Sequence, residues 1–115
     1  MSFPKPDEQS RAYFESLVPK APGVQSRPMF GNRAAFVNGN MFLALFGSQV
    51  AVRLSDQDRA ELLKQKGASG FDPMPGRPMK EYVVLPEAWR KSRQKAEQWV
   101  ERSFAWASRL PPKKK

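Results

Sequence analysis

Residues 34–37 (Ala-Ala-Phe-Val) and 41–46 (Met-Phe-Leu-Ala-Leu-Phe) are two apolar runs separated only by Asn38-Gly39-Asn40. Asn and Gly both accept positive φ, so an Asn-Gly step between two such runs predicts a tight β-hairpin. A second break at Gly47-Ser48 precedes Val50, Val52 and Leu54, which share one face of a further strand. The three runs predict an antiparallel meander. Run 41–46 is apolar on both faces, Met41, Leu43 and Leu45 on one and Phe42, Ala44 and Phe46 on the other, which marks a central strand covered on both sides.

Flanking segments read as helices. Residues 7–18 place Asp7 and Glu8 in a first turn and Tyr13, Phe14, Leu17 and Val18 on one stripe, and Pro19, Pro22 and Gly23 end the helix. Residues 24–30 then enter the meander as a first strand or an extended lead-in. Ser55-Asp56-Gln57-Asp58 has the form of a helix-capping box, with Ala60, Leu62 and Leu63 as the buried side and Gly67 as the stop. Asp56, Asp58 and Glu61 therefore read as helix-start charges and not as a metal or acid–base site.

Residues 68–79 hold Gly70, Pro73, Pro75, Gly76 and Pro78, a density that predicts a loop with at most a short edge strand near Phe71. Residues 80–85 form a last strand. Pro86 opens a long helix over residues 86–110, with Trp89, Ala96, Trp99, Val100, Ser103 and Ala107 at helical spacing. At that spacing its three tryptophans, Trp106 included, read as core covering the sheet. The expected class is α+β, a five-stranded antiparallel sheet with helices in the order α-β-β-β-α-β-β-α. It is one domain over residues 1–110 with a basic disordered tail over 111–115.

Ordered together, several short stretches resemble the N-terminal domain of the TfoX/Sxy competence-regulator family. They are Arg27-Pro28-Met29-Phe30-Gly31, Phe36-Val37-Asn38-Gly39-Asn40-Met41-Phe42, Val52-Arg53-Leu54, Gly76-Arg77-Pro78-Met79 and Tyr82-Val83-Val84-Leu85-Pro86. The resemblance spans about residues 7–109. It implies a secretion-chaperone-like α+β fold, with Met29, Phe30, Gly31, Asn38, Gly39, Pro78, Tyr82 and Pro86 as structural residues of the family motifs. Two features depart from the family: Gly31 is followed by Asn32-Arg33-Ala34 in place of a glycine-rich run, and 115 residues leave no room for the second domain of full-length competence regulators.

The chain has neither cysteine nor histidine, which removes Ser-His and Cys-His nucleophile pairs, disulfides and the usual zinc ligand sets. No phosphate-binding glycine loop occurs. The expectation is a non-enzymatic domain with no cofactor or metal, cytoplasmic, without a membrane span, acting as a regulator or adaptor through a protein partner or self-association. Phe42, Phe46, Trp99 and Trp106 are its candidate interface residues.

The alternative reading starts from the net charge of +9. A weakly specific nucleic-acid surface would use Arg90, Lys91, Arg93, Lys95 and Arg102 of the last helix with Lys113, Lys114 and Lys115 of the tail, and Arg27, Arg33, Arg53 and Arg77 as further contacts.

Overall fold

The computed structural model describes residues 5–29, 32–74 and 77–111, the side chains of residues 73, 74, 77 and 78 excepted. Phe30, Gly31, Lys113, Lys114 and Lys115 lie outside the described residues, as do the side chains of Arg77 and Pro78. The first helix, α1 (Glu8–Leu17), is capped by Asp7, whose Oδ1 accepts the Ser10 backbone N–H at 2.7 Å. That bond holds the Asp7 carboxyl below its usual range. Four strands follow: β1 (Val24–Met29), β2 (Asn32–Val37), β3 (Asn40–Phe46) and β4 (Gln49–Arg53). Helix α2 (Asp56–Leu63) is capped as the sequence indicates, the Ser55 hydroxyl accepting the Asp58 N–H.

The β2–β3 turn is the predicted one. Val37 pairs with Asn40, and Asn38 (φ 52°) and Gly39 (φ 81°) are both left-handed, the signature of a type I′ hairpin. Phe46 pairs with Gln49 across Gly47, whose φ is also positive, and the Gly47 N–H donates to the buried Asn32 Oδ1 at 2.8 Å. The sheet is antiparallel throughout, with strand order β1-β2-β3-β4-β6-β5. It has six strands and not the expected five, because β1 pairs along its whole length with β2.

Inside β3 the simple alternation fails. Ala35 pairs with Leu43 and Phe36 with Met41, so Phe42 is an extra residue with no partner in β2. This is a β-bulge, and it flips the faces on its two sides. Phe42, Leu43 and Leu45 all join the main core, whereas Met41, Ala44 and Phe46 join a second cluster on the other face. The expected grouping of Phe42 with Ala44 and Phe46 is thereby corrected. The backbone at the bulge is clamped from both layers. Ser103 Oγ donates to the Phe42 carbonyl at 2.7 Å, and the Tyr82 hydroxyl donates to the Met41 carbonyl at 2.9 Å.

The second half departs further from expectation. Residues predicted as a loop form a hairpin of β5 (Ser69–Met74) and β6 (Arg77–Val84). Prolines are tolerated because β5 is an edge strand with two register shifts and because Arg77 to Glu81 of β6 extends beyond its pairing with β4. The long last helix is broken: a 3-10 turn (Glu87–Lys91) ends at Ser92 (φ −132°, ψ 65°), and α3 runs Arg93–Ser108. The break leaves Arg90 turned back toward α1, where its Nη2 donates to Ser10 Oγ and to the Ser48 carbonyl, each at 2.8 Å. In α2 only Leu62 is buried; Ala60 is exposed and Leu63 stands 48% exposed, against the expected apolar side.

All the buried apolar residues of the helices, Phe14, Leu17, Leu62, Ala96, Trp99, Val100 and Ala107, belong to the main core with Trp89 of the 3-10 turn. The described helices therefore cover one face of the sheet. None of them is long and apolar enough to cross a membrane.

Replacing Ser103 with Ala leaves a buried carbonyl unsatisfied at the bulge, and the expected loss is about 1–3 kcal/mol by urea denaturation. A second expectation concerns alkaline pH. Burial, with Glu81 adding and Arg53 opposing, pushes the Tyr82 phenol from 10 up to about 12. The folded state thus retains a proton that the unfolded chain loses above pH 10. This contribution is complete below pH 10 and disappears as pH rises toward 12, on the order of 2 kcal/mol in all. Burial also raises Tyr13, which acts in the same direction. In circular dichroism across that range, Tyr82→Phe should flatten the fall in stability but not abolish it.

Candidate functional site

Gly67 and Pro86 meet where the end of α2 passes the end of β6. Gly67 has φ +93°, and a Cβ built on it would stand 3.1 Å from Pro86 Cβ, so the position requires glycine on two counts. Two concavities open on either side of this contact, and Gly67, Pro86 and Glu87 line both.

The first, about 190 Å³, lies against α1 and the β3–β4 turn, with Tyr13, Ser48, Gln49, Ser69 and Arg90 in its wall. Arg90 packs its guanidinium 5.4 Å from the Tyr13 ring centroid. Its hydrogen bonds to Ser10 and Ser48 tie three elements together, and no carboxylate pairs with it among the described residues. The Tyr13 hydroxyl is buried without a hydrogen-bond partner there.

The second, about 580 Å³, runs between the end of α2 and the start of α3. Pro86, Ala88 and Trp89 line it together with Lys66, Ser92 and Lys95. Both lysines are exposed, and neither forms an ion pair among the described residues.

A third surface is the helix-free face of the sheet. Ala34, Ala44 and Ala51 are directly paired across β2, β3 and β4 and continue to Val84 on β6. The three alanines are buried, and the row is ringed by larger side chains. Phe71 closes one end, edge-on to Phe46 with ring centroids 6.0 Å apart and tilted against Tyr82 at 6.2 Å. Phe36, Met41, Phe46 and Met79 are only partly buried.

The structure separates the expected interface residues. Phe42 is fully buried and stacks edge-on against Phe104 at 5.6 Å, and Trp99 is 7% exposed under the Arg102 guanidinium. Both are core and are withdrawn as surface candidates. Long apolar side chains at strand and helix periodicity fill the interior first, which is why they misled. Phe46 and Trp106 remain half-buried, the Trp106 indole N–H lacking a partner among the described residues.

The expected basic residues are also separated. Arg102 bridges to Glu61 at 3.1 Å and Asp58 at 3.5 Å, and Arg93 to Glu97 at 2.7 Å. Arg33 pairs with Glu15, Arg53 with Glu81, and Arg27 lies over the Phe36 ring at 4.2 Å. Of the named helix residues, Lys95 lines the second concavity, together with Lys66. Lys91 is exposed nearby in sequence. Lys66 and Lys95 lie 29 positions apart, so no local pattern could have joined them.

Compared with known families, the chain matches the model of the TfoX N-terminal domain over residues 13–107. No curated protein matches it. The match takes in all six strands, α2 and the 3-10 turn, half of α1 and nearly all of α3, so both concavities and the helix-free face lie within the family's domain.

Substituting Gly67 with Ala sets a Cβ in a left-handed position against Pro86. The expected cost is about 1–2 kcal/mol in chemical denaturation, with the 3-10 turn and its two concavities the first region to lose amide-exchange protection.

Proposed function

The chain belongs to the TfoX N-terminal domain family, and on that premise we propose that it is a non-enzymatic regulatory or adaptor domain that acts by binding another protein. The observation that supports this is the helix-free sheet face. An antiparallel sheet with one face packed under helices ordinarily alternates apolar-in and polar-out, leaving the second face polar. Here the second face carries a buried alanine row and partly exposed Phe36, Met41, Phe46 and Met79. Methionine and phenylalanine at a rim adapt to, and desolvate against, a partner surface.

The nucleic-acid reading has less to stand on. Arg27, Arg33, Arg53, Arg93 and Arg102 are spread over separate elements and spend their guanidinium groups on carboxylates or rings within the chain. Trp89 and Trp99 offer little open ring face for stacking a base. A cysteine-free chain has nothing to lose in a reducing compartment, and the cytoplasm is where the reading is tested.

The test is site-specific photo-crosslinking in living cells, with p-benzoylphenylalanine in place of Phe46 and, as a control on the helix side, in place of Leu63. A discrete adduct from position 46 that is absent from position 63 and lost on Met41→Glu supports the reading. Equal adducts from both positions, or none from position 46, would overturn it.

A further inference from the structure

We propose that the larger concavity, between the end of α2 and the start of α3, docks an acidic peptide segment that contributes one aliphatic side chain. The inference rests on the protein-binding reading but uses a different surface from the helix-free face.

Three observations converge on this occupant. Lys66, just past α2, and Lys95, on α3, both line the groove, and neither has a carboxylate partner among the described residues. Lys64 and Lys91 are exposed beside them in sequence and likewise form no ion pair among those residues, and Glu87 is the one acidic residue in the lining. The lining thus has two lysines against one glutamate, and its complement is a carboxylate-bearing segment. The apolar residues of the lining are Pro86, Ala88 and Trp89, and of these Ala88 is the exposed one. A leucine-like side chain can be desolvated there while flanking acids meet the lysines.

The same geometry disfavours a nucleotide. Trp89 is 9% exposed, which denies a base its stacking partner. A peptide that meets the two lysines and packs a side chain on Ala88 uses both the charge and the shape of the lining, whereas a phosphate chain would use the charge alone.

Gly67 and Pro86 fix part of the lining. Their close approach holds the segment after α2 against the start of the 3-10 turn, which sets the backbone of Lys66 at the groove. The groove is thus present before a ligand arrives, which lowers the ordering cost of binding.

The experiment titrates the purified full chain into a fluorescein-labelled Glu-Glu-Leu-Glu-Glu-Glu peptide, read by anisotropy at about 50 mM salt. The double variant Lys66→Glu with Lys95→Glu should weaken binding by about tenfold or more, while Lys20→Glu with Lys80→Glu, the same change in net charge at exposed sites outside the groove, should change it by less than about twofold. Replacing the peptide's leucine with serine should also weaken binding. All four lysines are exposed, so both variants should keep the wild-type thermal transition, checked by circular dichroism.

Absent peptide binding, or equal weakening in the two double variants, would overturn the proposal. So would tighter binding of a short single-stranded DNA that is lost in the groove variant alone, which would make the groove a phosphate site. Because this titration needs no cellular partner, its outcome is independent of crosslinking at Phe46.

Discussion

At Phe42 the sheet carries one residue more than its neighbour can pair, and the two backbone carbonyls at that point are taken by side chains from opposite layers. Ser103 reaches down from α3 to Phe42, and Tyr82 reaches across from β6 to Met41. Unpaired carbonyls buried in a sheet would cost free energy comparable to lost hydrogen bonds, so these two donors stabilise the bulge. Its consequence is architectural. With the bulge, Phe42 and Leu43 both enter the helix-side core, and Phe42 meets Phe104 there. Without it, every side chain on one side of that point would change face. The small alanines that end up paired on the other face depend on the same slip of register, so both apolar clusters trace back to one extra residue.

What the sequence revealed was what short-range chemistry decides. Asn38-Gly39, Asp7 before α1 and Ser55 before α2 act on backbone groups within a few residues, and each does in the structure what its type requires. The misses all involve partners distant in the chain. Nothing in Met-Phe-Leu-Ala-Leu-Phe marks Phe42 as the extra residue, because a bulge is defined against the opposite strand. The prolines at 73 and 78 argued for a loop, and correctly exclude an interior strand, but an edge hairpin with register shifts accommodates them. The break at Ser92 has no proline or glycine to announce it. The site suffered most: pairing Arg102 with Asp58 and Glu61, or bringing Lys66 and Lys95 to one concavity, requires knowing that α3 lies beside α2.

The basic residues divide by type. The arginines at 27, 33, 53, 59, 90, 93 and 102 are engaged with carboxylates, hydroxyls, carbonyls or aromatic rings of the chain itself. No described lysine forms an ion pair. The planar guanidinium, with five donors and a weakly hydrated face, suits bidentate and stacked contacts inside a fold, whereas the ammonium holds its water. A charge of +9 therefore overstates the positive field available for recognition at the arginines and understates how far the lysines determine it.

The sheet edges restrict how this domain can associate. In β1, Arg27 lies opposite Ala34 and Pro28 opposite Arg33, and alternate residues direct their backbone groups to β2 or away from it. Pro28 has no N–H, which places it in the outward set with Ser26 and Val24. The Val24 N–H is already given to the Ala21 carbonyl at 3.2 Å. Ser26 is left as the sole outward backbone donor of β1, too few for an added strand to build a ladder. At the opposite edge β5 contains Pro73 and two register shifts. Both edges are blunted in the ways that suppress strand addition. Association through side chains is then the route the fold leaves open, and it favours the surfaces that expose chemistry without exposing backbone: the methionine- and phenylalanine-rimmed sheet face and the lysine-flanked groove.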